Sequence, residues 1–151
     1  MLVLGLRLLH LMFMGTWIGA LLFVSGDVKR TLAEPAVHIP LLRNRIGRAT
    51  RFAAISGLMT IVTGICLIFA LGGFGSVPPT IHTGILMGLA MLGVGVGMIG
   101  GSWKKIVAGL DAGASPDSLL PLAKKMTMGM MVFHLLWLVT LGLMVFRNGF
   151  G

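Results

Sequence analysis

Four apolar runs, at about residues 2–25, 49–71, 80–102 and 122–146, limit what this chain can become. Each supplies the roughly 20 residues that a helix needs to cross a hydrocarbon core about 30 Å thick. Inside such a core every backbone N–H and C=O must be bonded within the protein, and a helix does this within one segment. The chain is 56% hydrophobic and only 11% charged, whereas a soluble domain carries about 25% charged residues. So few charges cannot cover a water-facing surface. The expected fold is all-α: an integral membrane four-helix bundle, with residues 1–151 forming one domain and the lipid bilayer as its solvent. The first run is long, and Asp27, Val28, Lys29 and Arg30 follow it without a small-residue cleavage site. It reads as a retained helix, not a signal peptide.

The charges are not scattered. Lys29, Arg30, Arg43, Arg45, Arg48 and Arg51 cluster around the first connection, and Lys104, Lys105, Lys124 and Lys125 around the third, which together make ten of the twelve Lys and Arg. Basic connections stay in the cytoplasm. Both termini and the uncharged turn "GGFGSVPP" are therefore expected on the periplasmic side of a bacterial or archaeal inner (cytoplasmic) membrane, in a multi-pass protein. A net charge of +8 arranged this way points to loop topology and away from nucleic acid. Pro35 and Pro40 interrupt the first connection, and "LLRNRIGRATRF" is expected to start a helix partly in the interface before entering the bilayer. Arg147 closes the fourth run, and Cys66, the single cysteine, excludes an intrachain disulfide. No CxxC or CxxCH occurs, so a c-type haem is not attached through this chain.

Small residues let membrane helices approach closely. "GTWIG" in the first run is a GxxxG motif, and Ala53, Gly57, Thr60 and Gly64 share one face of the second. The third carries Gly84, Gly88, Gly93, Gly97 and Gly101. Close packing within one bundle accounts for most of these, and a flat cofactor or a partner subunit lying against the third run is the alternative.

An ionisable side chain within a membrane helix marks a functional site by default, and neutral imidazole is the commonest metal ligand. At 1.5 Å per residue, His10 lies about 12 Å from the outer end of its run, His82 about 4 Å and His134 about 18 Å. His10–His82 and His10–His134 are the pairs whose depths suit two axial ligands of a b-type haem. His10, Met14 and Trp17 fall on one helical face at i, i+4 and i+7, and Met126, Met130, His134 and Trp137 fall on another. These faces are either packed stripes or a pocket with imidazole ligands and a polarizable lining. Arg7 snorkels to the interface or pairs with a haem propionate. His38, between two prolines, is a loop residue. The metal candidates are thus His10, His82 and His134, and the cofactor-binding candidates His10, Met14, Trp17, Arg7 and Trp137. The twelve methionines, with Met12, Met14, Met126, Met128, Met130 and Met131 near the deeper histidines, make copper the alternative, because thioethers suit Cu(I).

The acidic residues lie outside the runs, so neither a carboxylate dyad nor a Ser/His/Asp triad is available at membrane depth, and "GVGVG" lies inside a helix, not after a strand. There is no tyrosine to carry a radical.

"LRLLHLMFMGTWIGALLF", the basic stretch into "RFAAISGLMTIVTGICLIF", and "IHTGILMGLAMLG" together resemble a superfamily of small four-helix membrane proteins. It contains the copper-resistance protein D family and the membrane-type protoporphyrinogen oxidase. His10, Trp17, Gly19, Thr63, Gly64 and His82 match its motifs, and the resemblance covers about the first hundred residues. Gly84 stands where that family often has a lysine. The resemblance implies a b-haem or metal site near His10; an enzyme of this kind would be a membrane oxidoreductase. The expected function is haem b-mediated electron transfer between a quinone pool and a membrane-protein partner, as a small subunit or a homo-oligomer. A cofactor-free structural subunit and a copper-handling protein are the alternatives.

Overall fold

The computed structural model describes residues 1–34 and 38–145, and Pro35, Phe146 and Arg147 lie outside them. The described residues are helical apart from short connections. Helix α1 spans Leu2–Leu21, α2 Val24–Leu32, α3 Ile39–Ala70, α4 Pro79–Val94, α5 Gly101–Asp111 and α6 Pro116–Val145. A π-helical turn, Gly95–Gly100, joins α4 to α5, and a short 3₁₀ turn, Phe74–Ser76, lies between α3 and α4. Four helical stretches are long and apolar enough to cross a membrane: Leu2–Leu32, Ile39–Ala70, Pro79–Asp111 and Pro116–Met144.

These stretches outrun the apolar segments of the sequence, always at the same end. The helix expected to start with "LLRNRIGRATRF" begins at Ile39, ten residues before the apolar run, and continues without a break between its basic and apolar parts. Pro40 sits in its first turn, where the missing N–H costs no helical bond. Lys104 and Lys105 lie on α5, and Lys124 and Lys125 on α6, so only residues 112–115 connect the two. Lysine and arginine are good helix formers, so nothing in these stretches stops the helix when the apolar residues end. At 32 residues α3 is about 48 Å long, more than the roughly 30 Å thickness of a hydrocarbon core.

The helices form two antiparallel pairs. α1 lies along α3, and α4 with the π turn and α5 lies along α6. The pairs meet mainly where α2 packs on α6 and α3, whereas α3 and α4 barely touch. The molecule therefore has a basic end, where the pairs are joined, and a glycine-turn end, where they stand apart. Val28, Leu32, Ile46, Ile99, Ile106, Met126 and Phe133 are fully buried in the joined part. Trp17 meets Phe133 edge-on, with ring centroids 5.2 Å apart, across the pairs. A Cβ on Gly129 would come within 2.8 Å of the Met98 Cβ, so α6 passes directly against the π turn there. Two ion pairs tie the basic end: Arg45 to Asp27 and Arg43 to Asp111, each at 2.6 Å.

Gly72 and Gly73, with φ of 103° and 92°, end α3 in a conformation that disfavours a Cβ. Pro78 and Pro79 then start α4. This tight reversal holds α3 and α4 together at one end only.

Candidate functional site

Between the pairs, in the half toward the glycine turn, lies an apolar cavity of about 280 Å³. Small-molecule sites are commonly about 300–1,000 Å³, so the enclosed part is at the lower edge of that range. Leu11 and Ile65 line it and are also exposed, at 55% and 38%. The cavity is a partly enclosed slot.

One wall is built by a register between α1 and α3. The Trp17 indole lies over Gly57, where an added Cβ would come within 2.6 Å of the ring. Seven residues back along α1 and seven forward along α3, the His10 imidazole lies on Gly64, 3.1 Å from the position of an added Cβ. Seven residues are two helical turns, so antiparallel helices present the same pair of faces twice. The small residues of α3 are seats for two rings of α1.

That seat also fixes the imidazole. His10 Nδ1 lies 2.9 Å from the Thr60 carbonyl oxygen and 3.2 Å from Thr63 Oγ1. A carbonyl oxygen only accepts, so Nδ1 carries the proton and donates. Nε2 is then the lone-pair nitrogen, and both side-chain hydrogen bonds of His10 among the described residues run through Nδ1. A ring held by Nδ1–H to a backbone carbonyl, with Nε2 left over, is the usual arrangement of a ligating histidine. The Thr60 hydroxyl itself donates to the Ser56 carbonyl at 2.8 Å.

Arg7, His10, Met14, Trp17 and Trp137 all line the slot. Met91 and Met144 add two thioethers, and Gly84 and Gly88 of α4 add two positions without a side chain. Arg7 is the only charged residue among those lining it, and the four acidic residues, Asp27, Glu34, Asp111 and Asp117, belong to the other end of the molecule. The Trp137 Nε1 is buried and has no partner among the described residues.

His82 and His134 do not line the slot. His82 is exposed beside Phe74, ring centroids 6.1 Å apart, in a row with Phe69 at the glycine-turn end. His134 turns its Nδ1 back onto the Met130 carbonyl of its own helix at 2.7 Å. Its Nε2 is buried without a partner among the described residues. The α6 face expected to act as one unit is divided: Trp137 reaches the slot, and Met126 and Met130 belong to the packed core. Met12, Met128 and Met131 point outward, 58%, 61% and 68% exposed. Among the described residues no three His, Cys, Asp or Glu side chains come together as a metal-binding group. His38, read as a loop residue, stands directly before α3 without a side-chain cap bond, its Nε2 3.9 Å from the Glu34 carboxylate.

The "GTWIG" motif also behaves differently from its expectation. Gly15 and Gly19 are exposed, and an added Cβ on either would meet nothing within 4 Å. It is the tryptophan between them that faces the bundle. Thr60, the His10 acceptor, was legible only as a small residue on the right face of α3, because a backbone carbonyl has no signature in sequence. No protein-family model, curated protein or solved structure matches this chain, so its function has to be argued from the slot itself.

Proposed function

We propose that the slot holds a b-type haem through His10, in a membrane protein that passes electrons between a quinone pool and a membrane-bound partner. The observation that carries this reading is the His10 imidazole, oriented by Nδ1–H on the Thr60 carbonyl in an apolar slot, with Nε2 as the lone-pair nitrogen. The other residues suit the group. Gly88 leaves a position without a side chain, Met14, Trp17 and Met91 give an apolar lining, and Arg7 brings a positive charge with no carboxylate side chain at its end of the molecule. Bound there, the haem would supply one-electron redox chemistry at a potential set by its axial ligation and the low-dielectric surroundings. In this reading His10 is the only imidazole ligand from the slot, and His82 and His134 are not ligands. The resemblance to the copper-resistance protein D superfamily belongs to the same proposal, as does an inner-membrane location with the basic end in the cytoplasm.

Purified protein should show a Soret band and yield haem b by the pyridine assay; colourless protein from haem-replete cells would sink the reading. Copper is the second reading, favoured by one observation: Met14, Met91 and Met144 line the same slot as His10. It predicts Cu(I) binding that falls on replacing His10 or Met14, in protein without haem.

A further inference from the structure

The lysines of α5 and α6 gather on one rung of that helix pair. An added Cβ on Gly129 would come within 3.3 Å of Ile99, and one on Gly109 within 2.6 Å of Leu119, so two close contacts fix the antiparallel register. Lys104 stands midway between Ile99 and Gly109, and Lys124 stands midway between Leu119 and Gly129. The two therefore lie at one level of neighbouring helices, with Lys105 and Lys125 next to them in the chain. All four are exposed. Among the described residues none of them has a carboxylate partner, while Asp27 and Asp111 are taken by Arg45 and Arg43. Four like charges on one rung repel one another unless an anion lies among them.

The rung also marks a depth. Residues 126–145 of α6 contain no Lys, Arg, Asp or Glu and rise about 30 Å, the thickness of a hydrocarbon core. Residues 79–103 contain none either. The lysines begin where these stretches end, and the helices run on past them, with Ile106, Leu119 and Ala123 buried beyond the rung. The charges thus lie on the flank of the pair, at the edge of the apolar stretches, and not at the helix tips. On the apolar side of the rung the outer surface carries Met128, Met131 and Leu135 of α6 and Val96 of the π turn, all exposed.

We propose that Lys104, Lys105, Lys124 and Lys125 bind the phosphate of an anionic phospholipid whose acyl chains run along that apolar surface. This rests on the chain spanning a bilayer and is independent of the haem reading. A zwitterionic lipid brings its own ammonium to the phosphate, so only a lipid of net negative charge relieves the rung. A soluble anion has the charge but no chains for the surface beside it.

The full chain is reconstituted in vesicles of equimolar phosphatidylglycerol and phosphatidylcholine and extracted in mild detergent, and the retained lipids are counted by native mass spectrometry. Phosphatidylglycerol should be enriched. Lys104→Gln/Lys124→Gln should cut the enrichment about fivefold or more, the effect of even one lysine at an anionic surface, and Lys104→Arg/Lys124→Arg should keep it. Lys29→Gln/Arg30→Gln removes the same charge from α2 and should leave it unchanged. Equal retention of both lipids by the unmodified chain, no loss in Lys104→Gln/Lys124→Gln, or an equal loss in the α2 variant overturns the proposal. So does displacement of phosphatidylglycerol by inorganic phosphate beyond that by chloride at the same ionic strength, which would mark a site for the free anion.

Discussion

The two halves of this bundle are made from the same kinds of residue and come out differently. Toward the basic end, side chains from both helix pairs interlock around Phe133, Ile106 and Met126, none of which has any exposed surface. Toward the glycine turn, the same helices leave a slot of about 280 Å³. Hydrophobicity does not separate the halves, since both are apolar and lipid offers helices no hydrophobic incentive to associate. Side-chain size at the facing positions does. At the basic end a glycine on one helix is matched by bulk on its neighbour, as Gly129 is by Met98 and Ile99. In the other half Gly84 and Gly88 face the slot, and the rings of His10 and Trp17 are drawn back onto Gly64 and Gly57 of their own pair. Close packing is concentrated in one half and the slot lies in the other.

The comparison breaks most severely if Gly88 is filled. Gly88→Leu should remove at least nine-tenths of the bound haem, measured against protein by the pyridine assay, because Gly88 lines the slot and its Cβ position is open. The mirror-image change, Gly129→Leu, should do the reverse. Overpacking against Met98 costs about 1–3 kcal/mol, read as a lower melting temperature, while the haem of the surviving folded protein keeps its spectrum. If Gly129→Leu instead empties the site at temperatures where the bundle is intact, the halves are not separable.

The register of α1 on α3 could be read in part from the sequence. His10, Met14 and Trp17 share a face by spacing alone, and Ala53, Gly57, Thr60 and Gly64 form a face small enough to receive them. Three features could not be read. A GxxxG spacing names a face without saying whether a helix covers it, and Gly15 and Gly19 look outward. Depth along a helix says nothing of rotation about it. His134 lies at a level compatible with His10, yet its ring is held by the Met130 carbonyl of its own helix. Helix ends are hidden where a lysine pair looks like the mark of a loop, whereas Lys104, Lys105, Lys124 and Lys125 ride on helices that run on past the apolar residues. That is where long basic side chains reach water without breaking a backbone bond.

Smaller effects sharpen the contrast. Arg7→Gln should weaken haem retention only severalfold, because an exposed ion pair contributes about 0.2–1 kcal/mol; the dissociation rate to apomyoglobin measures it, and the loss should fade in high salt. At the other end, Arg45→Gln removes the partner of Asp27 from an exposed pair. It should shift the melting temperature slightly, at about 0–1 kcal/mol, with no change in the haem spectrum.

The central claim is that one histidine of the described bundle, and not a pair, holds the cofactor. Haem content and reduced-minus-oxidised spectra of His10→Ala, His82→Ala and His134→Ala, purified side by side, test it most directly. The account predicts that His10→Ala loses the haem while His82→Ala and His134→Ala keep both its amount and its spectrum. Loss of haem in His82→Ala or His134→Ala, or its retention in His10→Ala, would contradict it.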